Sequence, residues 1–187
     1  QRLLDAGAVH PVLDSMTREL QPNDVTVVIP VHNGSIEQLS MLVTKVSSAY
    51  KVLIVDDGSS PALPDIAGAH VIRRDTAGGP AVARNAAIEH ITTEITFFLD
   101  ADTSLADDSW INLLAHFSDS STGLVAPRIA SEDGSTLLHR YEASESPLDL
   151  GSEPALIRKN SRVSYVPTAA LMIRTELLRE HQGFNES

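Results

Sequence analysis

The chain has 187 residues, 42% hydrophobic and 21% charged, with a formal net charge of -11. That length suffices for one domain with a sizeable core, and so acidic a surface argues against bulk nucleic-acid binding, which needs Lys and Arg against phosphates. No cysteine is present, which excludes disulfide and thiolate chemistry and fits a reducing, cytoplasmic setting. No apolar run approaches the ~18 residues of a membrane span, and Gln1 to Asp5 lack the basic-then-apolar order of a signal peptide.

Residues 1–24 read as a lead-in, the tail of a preceding segment, because the chain opens at Gln1 rather than Met. Leu3, Leu4, Ala8, Val9, Val12 and Leu13 suggest part of an amphipathic helix interrupted by Gly7 and Pro11; Pro22, Asn23 and Asp24 predict a turn. Residues 25–187 read as the main domain. Val25 to Val31 is continuously apolar and predicts a central parallel strand. Pro30 lacks an N–H and should end its pairing. His32-Asn33-Gly34 form a loop, and Ser35 is a suitable N-cap for a helix from Ile36 to about Ala49.

Lys51 to Val55 predicts a second strand that ends in Asp56-Asp57-Gly58-Ser59, and His70 to Arg73 a short third. Thr76-Ala77-Gly78-Gly79-Pro80 is a glycine-rich start to a helix from Ala81 to about His90. Such a start can present N–H groups to an anion, with Arg84 and Asn85 about one turn in. Ile95 to Leu99 predicts a fourth strand delivering Asp100 and Asp102, which strand alternation would put on one face. A helix is expected from about Asp107 to Phe117, and a strand from Gly123 to Pro127. Residues 131–162 read as a variable loop with a short strand near Leu137 to Tyr141. Short strands at Arg162 to Val166 and Ala169 to Ile173 follow, then a helix capped by Thr175 and running to about Glu180. This β-loop-α rhythm predicts an α/β fold with a parallel core.

The chemistry collects at strand ends. Pro30-Val31-His32-Asn33, Asp56-Asp57-Gly58-Ser59 and Asp100-Ala101-Asp102 lie where an open α/β sheet binds ligands. Carboxylates can accept hydrogen bonds from a base and ribose. Arg84 can offset phosphate charge or hold the acidic loop in shape. Two acids at a strand end suit Mg2+ or Mn2+, which takes one or two carboxylates plus substrate phosphates. A zinc site is not expected, since none of the 7 histidines forms a His-x-x-x-His pair. The sequons Asn33-Gly34-Ser35 and Asn185-Glu186-Ser187 lack a secretion signal beside them.

In this order and spacing, VIPVHN, VDDGSS, GGPAVARNAA and FLDADT resemble the family 2 glycosyltransferases of GT-A fold. The resemblance implies a largely parallel central sheet flanked by helices. It also implies inverting transfer of a sugar from a nucleotide-sugar, usually a UDP-sugar, to an acceptor hydroxyl with Mn2+ or Mg2+. It places Pro30, Val31, His32, Asn33 and Asp57 near uridine, with Asp56 as a further candidate. Gly79 and Arg84 fall near the nucleotide, Asp100 and Ala101 near ribose and diphosphate, and Asp102 on the metal with Asp100. LLDAGAVHP, RYEASESPLDLGSEPALI and SRVSYVPTAALMIR are similar to a narrower group, the glycosyltransferases of the mycofactocin system. That group implies glucose as donor sugar and a peptide-derived redox cofactor as acceptor; a glycan is the alternative acceptor.

The family's general base is an acid of a Glu-Asp pair shortly beyond a Gly-Gly-Phe-Asp-Glu segment. Here that segment reads Gln182-Gly183-Phe184-Asn185-Glu186, and the expected base falls beyond Ser187, which implies truncation at the carboxyl end and a chain that can bind donor without turnover. Glu142, Glu145 and Asp149 are the remaining carboxylates in that half. The competing readings are a donor-binding or scaffold domain and a sugar-nucleotide pyrophosphorylase. The latter should carry a glycine-rich loop with Arg and Lys where HNGSIE stands. No dinucleotide fingerprint or P-loop is present.

Overall fold

The computed structural model describes residues 20–106, 109–131, 146–159 and 162–186; of residues 109–111 the backbone alone is described. The expected lead-in helix and the strand near 137–141 lie outside these residues. Pro22–Asp24 is a single 3-10 turn.

Strand β1, Val25–Val31, runs into helix α1, Ile36–Ser47. The Ser35 hydroxyl accepts from the Gln38 N–H and caps the helix, as expected. Leu39, Leu42, Val43 and Val46 form the helix's buried face, following the helical period. Strand β2, Lys51–Asp57, and strand β3, His70–Arg74, come next. Helix α2 is Pro80–Ala87 and tightens into a 3-10 turn at Ile88–His90. Strand β4, Ile95–Leu99, is buried throughout. Short strand β5, Leu124–Val125, strand β6, Ala170–Arg174, and helix α3, Thr175–Glu180, complete the regular elements.

The sheet order is β3-β2-β1-β4-β6-β5. Strands β3, β2, β1 and β4 are mutually parallel, while β6 runs antiparallel to β4 and to β5. The expected largely parallel sheet therefore carries one reversed strand. Successive strands step outward from β1 to β2 to β3, and the chain then crosses to β4 on the other side of β1. The order reverses between β1 and β4, and such a switch point opens a crevice at the carboxyl ends of the strands.

The core lies on both faces. Val25, Val27, Ile29 and Val31 pack with Ile54, Phe97, Leu99 and the apolar side of α1. Val28, Leu53, Val55 and Phe98 pack with Ala83 and Ala87 of α2, and with Ile91 and Leu178. Neighbouring residues thus serve opposite layers, which is why β1, β2 and β4 are mostly apolar, with the buried Thr26 and Thr96 the polar interruptions in β1 and β4. Fully burying Phe97 and Phe98 contributes about 1.5–3 kcal/mol each.

Several local expectations are corrected. Pro30 does not end β1: its pairing with β2 continues to Val31, whereas its pairing with β4 stops at Val28. The helix expected over 107–117 is a 3-10 helix, Ser109–Ser118. Leu114 and Phe117, three residues apart, share a face in that geometry, and both are buried. The strand expected at 162–166 is one bridge between Val163 and Ile157, with Pro167 withholding an N–H just beyond. Thr175 does not cap α3; the cap position is Arg174. The Thr175 hydroxyl is buried and instead pairs with Thr96 Oγ1 at 2.8 Å. Among the described residues, no helix is long and apolar enough to cross a membrane.

Candidate active site

A cavity of about 600 Å3 opens at the switch point. Nine of the expected site residues line it: Pro30, Val31, His32, Asp57, Gly79, Arg84, Asp100, Ala101 and Asp102. Asn33 and Asp56 do not. Gln38, one turn into α1, and Thr168, just before β6, line it without having been expected. Thr168 arrives because β6 starts where β4 ends, with Asp100 N–H bonded to the Ala169 carbonyl at 2.9 Å. That long-range pairing leaves no local trace in the sequence.

The two acids of the β2 end have different work. Asp56 is 0% exposed. Its carboxylate takes the Ser59 N–H at 2.9 Å, the Leu63 N–H at 3.1 Å and the Arg73 guanidinium. Burial pushes its pKa up, but these hydrogen bonds outweigh burial and bring it to about 2. Asp56 therefore shapes the loop and does not face the cavity. Asp57, 3% exposed, holds Arg74 and the N–H groups of Gly78 and Gly79, the last at 2.8 Å. The Gly78 and Gly79 N–H groups are thus already taken by this carboxylate and are not open to an anion. The Gly78 N–H spans both oxygens, so the three donors make four contacts, two on each oxygen, and a further donor would share or displace the bifurcated Gly78 bond.

Arg73 and Arg74 were missed from sequence. They sit beside the acids because β3 pairs in parallel with β2, Asp56 against Arg73 and Asp57 against Arg74. Two basic residues closing the strand after a two-acid strand end are the signal that could have found them.

The end of β1 is knitted to the same loop. The Asn33 N–H donates to Ser59 Oγ at 2.9 Å, and the Ser60 N–H donates to Asn33 Oδ1 at 2.8 Å. Asn33 Nδ2 must then donate to His32 Nε2, at 2.9 Å, which leaves His32 Nδ1 to donate to the Asp57 carbonyl at 2.7 Å. The network fixes a neutral His32 tautomer with its ring at the cavity. Asn33 itself orients His32 and does not line the cavity.

Asp100 and Asp102 do not leave one face of a strand. Asp100 opens a turn closed by the Thr103 N–H on the Asp100 carbonyl at 3.0 Å. The turn still aims both residues at the cavity. Arg84 Nη2 donates to Asp100 Oδ1 at 2.6 Å. Burial nonetheless raises the Asp100 pKa above the usual carboxylate value, against the pull of Arg84 and with help from the nearby Asp102 charge. Asp102 is exposed and makes no hydrogen bond or ion pair to the described residues.

Among the described residues, no cluster of three or more His, Cys, Asp or Glu could enclose a metal. An all-protein cage is therefore absent there. A hard divalent cation shared between a carboxylate and a ligand's phosphates still fits: Asp102 offers oxygens without a partner among the described residues, and Asp100 sits two positions before it. Asp149 does not fit a general base. Hydrogen bonds from Arg128, at 2.9 and 2.7 Å, and from the Gly151 N–H hold its pKa at about 2. Glu142 and Glu145 lie outside the described residues.

This architecture is the GT-A fold of glycosyltransferases. Its solved relatives include TarS of S. aureus (residues 1–349), with a TM-score of 0.63 and 20% identity over 87% of this chain and 50% of that one. The mannosyltransferase PcManGT from Pyrobaculum calidifontis, solved with GDP-Man and Mn2+, also has a TM-score of 0.63, at 19% identity over 98% of this chain and 53% of that one. The sequence profile of Glycosyl transferase family 2 matches residues 26–181, and the chain belongs to that family. It is 41% identical over 192 aligned residues to the pre-mycofactocin glycosyltransferase of Mycobacterium tuberculosis (strain CDC 1551 / Oshkosh), covering 99% of this chain. The chain spans 40% of that relative's length.

Proposed function

We propose that this chain forms the donor side of an inverting glycosyltransferase that moves a sugar, with glucose the first choice, from a UDP-sugar to an acceptor hydroxyl. The observation that carries this reading is the convergence of Asp57, Arg84, Asp100 and Asp102 on one crevice at the sheet's switch point. Asp57 and the fixed His32 ring face the base, and Asp100 and Asp102 face the ribose and diphosphate. Mn2+ or Mg2+ is held by Asp102 with Asp100; when bound it offsets the charge that develops on the departing diphosphate. The complex of PcManGT with GDP-Man and Mn2+ supports a nucleotide-sugar donor used with a divalent metal, without favouring UDP. The likeness to the pre-mycofactocin glycosyltransferase favours a peptide-derived cofactor as acceptor.

Calorimetric titration tests the donor site. UDP and UDP-glucose should bind in the presence of Mn2+ and bind at least about tenfold more weakly without it, a difference of about 1.4 kcal/mol. GDP should be the poorer ligand. Asp102→Ala should abolish the metal's effect while the protein stays folded. Metal-independent UDP binding, or unchanged binding by Asp102→Ala, would remove Asp102 from the metal site. A second reading, donor binding without turnover, is favoured by one observation. The described carboxylates that line the cavity are Asp57, Asp100 and Asp102, each with a donor-side role. Glucose transfer to the acceptor by the chain alone would exclude it.

A further inference from the structure

Phe184 lies outside the donor cavity, yet its ring covers a residue that lines it. The chain leaves α3 through two left-handed residues, Gln182 (φ 59°) and Gly183 (φ 79°). Such a conformation is uncommon for a residue like glutamine and persists where the surroundings enforce it. Gly183 has no room for a side chain, because a Cβ would fall 2.8 Å from Asn85 Cγ. The turn brings Phe184 onto α2, where the Asn85 carboxamide grips its main chain from both sides. Asn85 Nδ2 donates to the Phe184 carbonyl at 2.9 Å, and the Phe184 N–H donates to Asn85 Oδ1 at 2.8 Å. A further bond runs from Nδ2 to Glu186 Oε1 at 2.8 Å. With these three bonds the amide has one orientation and full hydrogen bonding on its donor side.

The ring so placed meets Phe98 edge-on, with centroids 5.2 Å apart and an interplanar angle of 78°. Arg84 Cζ stands 5.9 Å from the same ring's centroid, within cation–π range. Arg84 is 6% exposed, and its Nε has no hydrogen-bond partner among the described residues. The Phe184 ring, itself set against Phe98, therefore holds the guanidinium where hydrogen bonds do so only in part. Its ion pair from Nη2 to Asp100 reaches the cavity.

We propose that Asn85 and Phe184 are positioning residues: Asn85 fixes Phe184, whose ring holds Arg84 in the rotamer that presents Asp100 to the donor diphosphate. The first half of this chain of contacts is independent of the ligand. The second half rests on the donor-site reading above. A simple staple joining the C-terminal segment to α2 would affect stability without acting selectively through Arg84.

Two measurements on the same variants test the two halves. In the ligand-free protein, side-chain NMR should show an Arg84 Nε–H that exchanges slowly with water. Phe184→Leu and Asn85→Ala should speed that exchange by about tenfold or more, while Phe184→Tyr, which keeps the ring, preserves the slow rate. Mn2+–UDP titration then forms a double-mutant cycle with Arg84→Met. Phe184→Leu should weaken binding about tenfold in the wild-type background and by less than about twofold once Arg84 is gone. Unchanged Nε–H exchange in both Phe184→Leu and Asn85→Ala overturns the grip on Arg84. Equal weakening in both backgrounds overturns the route through Arg84. Failure of the wild type to bind Mn2+–UDP overturns the donor-site reading and the second half with it, while the NMR result still decides the first. If Asn85→Ala fails to fold, Phe184→Leu and Phe184→Tyr carry both arms.

Discussion

Asp56 and Asp57 are adjacent, both acidic and both buried, yet only Asp57 lines the cavity. Asp56 acts on the fold. Its carboxyl holds a proton less tightly in the folded chain, near pKa 2, than in the unfolded one, near 3.8. Its contribution is complete above about pH 5 and is lost as pH falls through 4 toward 2, amounting to about 2 kcal/mol. Asp56→Asn should therefore be less stable than wild type by about that amount at pH 7, with the gap closing near pH 2. Urea unfolding at both pH values checks this; a gap independent of pH would show that the charge of Asp56 is not what matters. The repeated Asp of the motif is visible in sequence. The family resemblance favours Asp57 and keeps Asp56 as a further candidate; that Asp56 is turned away from the cavity depends on Ser59, Leu63 and Arg73 closing around it.

At the scale of elements, the loop after β2 presses against the segment leading to α2. Gly58, with φ 70°, is where they touch: a Cβ there would lie 2.6 Å from the Ala77 nitrogen and 2.9 Å from the Thr76 carbonyl carbon. Gly58→Ala meets backbone on one side and left-handed strain on the other, so a loss of about 2–4 kcal/mol is expected. The same change should weaken UDP binding, since Asp57 and Gly79 sit on the two loops it would separate. Chemical denaturation with a parallel titration tests both effects. A loss below about 1 kcal/mol would mean that the loops part easily. Strands β1, β2 and β4 and helix α1 were readable in advance, because burial on two faces leaves nearly continuous apolar runs and helical burial leaves a 3.6-residue period. The 3-10 helix at Ser109–Ser118 and the cap of α3 were not. Their choice depends on where Leu114, Phe117 and the Thr96–Thr175 pair fit in the assembled core.

For the molecule as a whole, ligand binding should register as stability. At about 100 times its dissociation constant, Mn2+–UDP adds about 2.7 kcal/mol to the folded state. For a domain of this size that raises Tm by about 5–10 °C. EDTA should return Tm to the value of the ligand-free protein, and Asp102→Ala should show no rise on adding Mn2+–UDP. A rise that survives EDTA would separate UDP binding from the metal. The order of strands and helices, and the stretches that carry the chemistry, follow from local rules of period, turn residues and caps, which operate over a few neighbours and so can be read along the chain. Assembly settled the partners of each acid. Arg74 meets Asp57 through the parallel β2–β3 register, Thr168 reaches the cavity through the reversed strand β6, and Asn85 meets Phe184 across 99 positions. Contacts between segments so far apart depend on packing and sheet pairing, which have no signature in the spacing of neighbouring residues.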